Sequence, residues 1–209
     1  MNGMKNNRWK KWLEYVGVIL FTIHCSLFTV SCSEDESVAE EFSNWQERND
    51  AAINQWAANS SLRKIRVYTQ DETSTGKNSD YIYVEVLASG EGTNSPIFTD
   101  TCRVAYRGRL IPSTTYSEGY VFDQSYLGDF DVKTIGVADG ASWVLGFSTA
   151  LQNMHVGDRW RVHIPYNLGY GSSENGVIPA YSNLIFDLYL VDFWSPSDKT
   201  HPKFKARER

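Results

Sequence analysis

The chain of 209 residues is poor in the residues that several function classes need. Three cysteines cannot build a disulfide-rich mini-fold. Four histidines, none at ligand spacing from another His or Cys, argue against a zinc site, and no other residue set calls for a cofactor. Basic charge is scarce: 20 Lys and Arg against 25 Asp and Glu give a net charge of −5. With no aromatic-rich basic stripe to reverse that balance, nucleic-acid binding is disfavoured. No apolar run reaches the ~20 residues that a membrane-spanning helix needs. Aromatic rings, by contrast, are plentiful. Seven Trp, twelve Tyr and ten Phe exceed what a modest core requires, so some of them line a surface or pocket. At 42% hydrophobic the chain is too apolar to be disordered, and its length suits one domain with appendages.

Residues 1–31 read as an address. Lys5, Arg8, Lys10 and Lys11 give a basic start, and Tyr15 to Ser33 carries no charge, with an apolar stretch from Val16 to Leu20. That layout is a secretory signal peptide. Thr29-Val30-Ser31-Cys32 resembles a bacterial lipobox, with Thr29 where an aliphatic residue is usual. The resemblance implies cleavage before Cys32 and lipidation of Cys32 as a membrane anchor; an ordinary cysteine beside a cleavage site is the plainer alternative. Cleavage leaves 178 residues with a net charge of −8. Ser33-Glu34-Asp35-Glu36 resembles the export tag of surface lipoproteins, or else is a solvated acidic linker. The expected location is the cell envelope, at the outer membrane. Cys102, beside strand valines, is then core filler rather than a nucleophile.

Ser37-Val38-Ala39-Glu40 reads as a capping box, and Phe42, Trp45, Asn49, Ile53 and Trp56 recur at helical spacing behind it. An amphipathic helix is expected over 38–59, with its stripe buried on its own domain or, alternatively, against a second copy in a homodimer. From Arg63 the period changes to two. Strands are expected around Ile65 and Val67, around Ile82, Val84 and Val86, over Thr101–Leu110 and over Arg159–Pro165. Asn183–Trp194, apolar on both faces, should be a central strand. One short helix fits among them, with Phe147, Leu151 and Met154 on one face and Gly157 stopping it. The expected fold class is α+β, an antiparallel sheet covered on one face. The organisation read from these signals is a signal peptide over 1–31, a linker and helix over 32–62, the main domain over 63–194 and a charged tail over 195–209.

Two stretches mislead. Gly146-Phe147-Ser148-Thr149-Ala150 looks like a nucleophile elbow, yet no acid and His fall within reach of Ser148, and the chain lacks the βα units of a hydrolase. Gly169-Tyr170-Gly171 has no lysine and is no phosphate loop. The informative set is aromatic. Tyr106-Arg107-Gly108 is followed by Val121-Phe122-Asp123, then Trp143-Val144-Leu145-Gly146-Phe147 and Gln152-Asn153-Met154 with Val156-Gly157. Pro165-Tyr166, Gly169-Tyr170-Gly171, Val177-Ile178-Pro179 and Leu184-Ile185-Phe186-Asp187 complete it. In order and spacing this set resembles the FK506-binding-protein (FKBP) family of peptidyl-prolyl isomerases, from about Tyr81 to Phe193.

The resemblance implies a bent antiparallel sheet wrapped around one short helix, with an aromatic pocket between them. Tyr106, Phe122, Asp123 and Phe186 fall on catalytic pocket positions. Val144, Phe147, Tyr170 and Ile178 fall on substrate-binding positions, Trp143 and Val177 on the rim, and Phe130 is a candidate further wall. In such a pocket a prolyl ring rests on Phe147, the Val144 amide and Tyr170 hydroxyl orient peptide carbonyls, and Asp123 biases the field. Two departures stand out. Phe147 occupies the usual tryptophan floor, which should deepen the cavity and remove an indole N–H. The Gly108–Val121 connection, with Thr114, Thr115 and Tyr116, is long, and Tyr181 is large for its rim position. The implied function is isomerisation of X-Pro bonds in exported polypeptides; the alternative is a non-catalytic module that holds peptide segments or a partner.

Overall fold

A computed structural model describes residues 41–69, 75–125, 138–140 and 143–200, the short run 138–140 by backbone only. The signal segment, Cys32, the acidic run, the capping box, Phe130 and the tail from 201 onward lie outside these residues.

The period-two stretches are strands. They are β1 (Arg63–Arg66), β2 (Tyr81–Ala88), β3 (Thr101–Arg109), β4 (Val121–Gln124), β5 (Ala138–Gly140), β6 (Arg159–Ile164) and β7 (Leu184–Trp194). The sheet runs β1-β2-β6-β7-β3-β4, with β5 also on β3, and every pairing is antiparallel. β5 lies opposite Cys102–Val104 and β4 opposite Arg107–Arg109, so the two share one edge of β3 in succession. β5, which has only three residues, gave no periodic signal in the sequence. β7 is central, between β6 and β3, and is almost wholly buried as its apolar composition requires.

Alternation along β6 turns Trp160, Val162 and Ile164 inward and Arg159, Arg161 and His163 outward. Val86 departs from its expected burial and is 47% exposed. The β1 pairing ends at Arg63 opposite Val84, so β2 runs on past the end of its neighbour.

Two α-helices and two single-turn 3-10 helices have their bounds among the described residues. α1 (Trp45–Ala58) starts later than the pattern suggests, behind Asn44 in a left-handed conformation (φ 49°) that asparagine tolerates. α2 (Leu145–Leu151) lies on the inner face of the sheet, with Phe147, Ala150 and Leu151 buried. It is shorter than expected, but Met154 is still fully buried and Gly157 ends the segment at φ 96°.

The α1 stripe is used within the domain. Trp45 Nε1 donates to Ser182 Oγ at 2.8 Å, and Trp56 lies 4.9 Å from the His163 ring on the outer face. Asn49 forms the tightest join. Its side-chain oxygen accepts the Asn183 amide at 2.8 Å and its carbonyl accepts Asn183 Nδ2 at 2.7 Å, both buried. The outer face therefore carries a helix at its β2–β6 end, where the sequence suggested a sheet covered on one side only. Beyond it, Asp187 accepts from Arg109 and from Arg161 at 2.7 Å, an ion cluster on the face opposite the aromatic residues.

Candidate functional site

Strand alternation delivers the rings to one place. Tyr106 points inward from β3, Phe186 from the adjacent β7, Phe122 from β4, and Phe147 comes down from α2. Tyr106 is the hub, with ring centroids 5.2 Å from Trp143, 6.1 Å from Phe147 and 6.1 Å from Phe186. Phe186 meets Phe147 edge-on at 5.0 Å and Phe122 at 5.6 Å. Contacts of this geometry each contribute about 0.5–1.5 kcal/mol beyond simple burial, enough to fix the rings relative to one another.

One backbone position makes this approach feasible. Gly108 lies opposite Phe186 and Asp123 in the ladder, and a Cβ there would fall 2.5 Å from the Phe122 ring and 2.7 Å from Phe186. The sequence reading gave Gly108 no role. Its signal was a residue without a side chain between Tyr106 and Leu110 on one strand face.

The polar groups gather at the edge of the rings. Tyr106 Oη donates to Asp123 Oδ2 at 2.6 Å, while Asp123 Oδ1 accepts the Gln124 amide at 2.8 Å. The Tyr106 amide donates to Ser125 Oγ at 2.9 Å, tying β3 to the end of β4. Burial, and then the charge of Asp123, push the Tyr170 hydroxyl above its ordinary pKa, so it stays a donor.

Exposure sorts these residues into layers. Tyr106, Phe147, Ile178 and Phe186 are buried, Phe122, Trp143 and Val144 are half-buried, and Asp123, Tyr170 and Val177 are exposed. The arrangement is a bed of rings with an open, partly polar rim. Phe147 differs from expectation, because it is 0% exposed and Trp143 stacks on it at 4.4 Å with 17° between planes. The depth expected where tryptophan gives way to phenylalanine is thus taken up by an indole from position 143. Within the long connection Tyr116 packs edge-on against Tyr120 at 5.1 Å. Tyr181, at φ 60°, turns to Tyr166 at 5.5 Å.

Residues 92–191 match the FKBP-type peptidyl-prolyl cis-trans isomerase family and contain all ten of these side chains. The FKBP-type 22 kDa peptidyl-prolyl cis-trans isomerase of Escherichia coli K12 is 33% identical over 153 residues, spanning 70% of this chain and 67% of that protein. The chain belongs to the FKBP family. A second relative, the macrophage infectivity potentiator of Trypanosoma cruzi, is 40% identical over 106 residues, 50% of this chain. The chain spans only 49% of that relative's length. The fold likeness extends to the crystal structure of a peptidyl-prolyl cis-trans isomerase from Pseudomonas syringae pv. tomato, with a TM-score of 0.53. That structure is 23% identical and covers 73% of this chain and 95% of its own. α1 precedes residues 92–191, the stretch that the family match covers.

Proposed function

We propose that this FKBP domain accelerates cis–trans isomerisation of X-Pro bonds in polypeptides. The observation that carries the reading is the convergence of Tyr106, Phe122, Phe147 and Phe186 beneath a rim holding the Tyr106–Asp123 hydrogen bond. Rotation about a peptide bond is opposed by ~18–20 kcal/mol of resonance. X-Pro bonds populate both isomers yet interconvert in ~10–100 s. The planar amide has the larger charge separation and is the form that water stabilises. Apolar rings around it withdraw that stabilisation and favour the twisted, less polar amide. No bond is made or broken except in the sense of rotation, so no nucleophile is required.

Roles follow from position. Phe122 and Trp143, with Tyr170 and Val177 at the rim, present the surface a prolyl ring meets. Tyr106, Phe186 and Ile178 form the walls beneath them, and Phe147 is the layer below Trp143. The Val144 amide at the start of α2 and the Tyr170 hydroxyl are the donors for peptide carbonyls. Asp123, held by Tyr106, sets the local field. The substrates are proline-containing polypeptides exported to the cell envelope, where cleavage before Cys32 and lipidation of Cys32 anchor the protein at the outer membrane.

The cover that Trp143 places over Phe147 favours a second reading, a non-catalytic module that holds peptides. A protease-coupled assay of the full chain on an Ala-Leu-Pro-Phe peptide separates the two. A rate above buffer supports the isomerase, and the buffer rate leaves the binding module. The anchor is tested by fractionation: Cys32→Ala should release the protein from membranes, and unchanged sedimentation would reject the lipid.

A further inference from the structure

Beside the ring bed lies a second apolar surface that isomerisation of a single bond does not use. Ile97 is 64% exposed, Phe98 60% and Tyr68 42%, and the Tyr68 and Phe98 rings sit 5.7 Å apart. The side chains are held outward by a closed turn. The Ile97 amide donates to Asp100 Oδ2 at 3.0 Å and the Asp100 amide to the Ile97 carbonyl at 2.9 Å. Behind the turn runs a narrow cleft lined by Pro96, Ile97, Phe98, Trp143, Ser148 and Gln152.

Trp143 joins the two surfaces. It forms one wall of the cleft and also stacks on Phe147 and meets Tyr106 edge-on. Its indole N–H is buried and has no acceptor among the described residues.

We propose that Tyr68, Ile97, Phe98 and the outer side of Trp143 dock apolar side chains of the same unfolded polypeptide whose proline lies on the ring bed. The proposal rests on the isomerase reading for the proline end alone. Clustered exposed apolar side chains mark contact sites. This one is too small for a lasting dimer. Aromatic rings bury 150–250 Å² each, so three half-exposed side chains supply roughly 300 Å², against about 800 Å² per partner in a stable protein interface. Two or three side chains of an extended chain match that area. Continuity through Trp143 places them on the chain already bound.

The test uses the full chain and two probes, the Ala-Leu-Pro-Phe peptide and a fluorescent 15-residue peptide with one Leu-Pro and with Leu and Phe on both sides. The Ile97→Ser/Phe98→Ser variant should bind the 15-residue peptide about tenfold more weakly by anisotropy, the scale of two lost half-buried apolar contacts. Its turnover of the short peptide should stay within twofold of the unsubstituted protein, and Phe98→Tyr should retain binding of the longer one. Unchanged binding by the double variant overturns the proposal, as does an equal loss of short-peptide turnover. Sedimentation showing a dimer that the double variant abolishes, with peptide binding intact, assigns the surface to a second copy and also overturns it. Failure of the isomerase reading would appear separately, as a buffer rate for the unsubstituted protein on the short peptide.

Discussion

The Trp143 indole stacks on the Phe147 ring at 4.4 Å and 17°, and Phe147 has no exposed surface. A peptide bound on the ring bed therefore meets Trp143 before Phe147. Proline-peptide binding should shift the tryptophan emission of the unsubstituted protein, and Trp143→Phe should lose most of that shift. Beneath it, Phe147→Ala opens a hole in a sealed layer. Urea unfolding should show a loss of about 3–5 kcal/mol, as for other buried phenylalanines.

Gly108→Ala tests the ring convergence without touching a ring. The added methyl lands on Phe122 and Phe186, so one of them must move. The expected cost is about 1–3 kcal/mol in urea, with a changed near-ultraviolet dichroism and reduced isomerase kcat/KM. Stability and spectrum equal to the unsubstituted protein would contradict the packing described.

Asn49→Ala removes the side-chain acceptor of the buried Asn183 backbone amide and keeps the bond from Asn183 Nδ2 to the residue-49 carbonyl. A loss of about 1–3 kcal/mol is expected for the orphaned donor. Hydrogen exchange should show faster exchange across Trp45–Ala58 and little change in β3 and β7, because α1 is joined to the sheet at few points. Turnover of a short proline peptide should stay within twofold.

His163 supplies a pH signature. It lies under Trp56, where burial first and then the Arg161 charge lower its pKa to about 4, with Asp187 opposing and Arg109 reinforcing. The unfolded chain takes up that proton near the ordinary value of 6.5. Between these values the unfolded state binds the proton that the native state refuses. Stability from this group is therefore whole above about pH 6.5 and falls as pH drops towards 4. From pH 7 to pH 5 the decline is on the order of 1–2 kcal/mol, and His163→Gln should lack it when urea midpoints are compared.

Most of the strands were legible because they rest on period. Tyr106, Cys102 and Val104 share a strand face through alternation, and β7 was legible as a run apolar on both faces. The ring bed was legible through the resemblance of its ordered motifs to the FKBP family. What escaped was set by contact rather than pattern. Gly108 matters through the rings that cross it, and the Asn49–Asn183 join links residues 134 apart by polar atoms that no hydrophobic period marks. The cover over Phe147 depends on which way one loop indole turns, which spacing does not encode.

The central claim is that this ring bed, with Asp123 held by Tyr106, is the surface that speeds rotation about the prolyl bond. Exchange spectroscopy on the cis and trans proline resonances of Ala-Leu-Pro-Phe measures that directly, with no protease present. The account predicts exchange well above buffer for the full chain, about tenfold slower for Tyr106→Phe and close to buffer for Phe122→Ala. Exchange at the unsubstituted rate in both folded variants would contradict it.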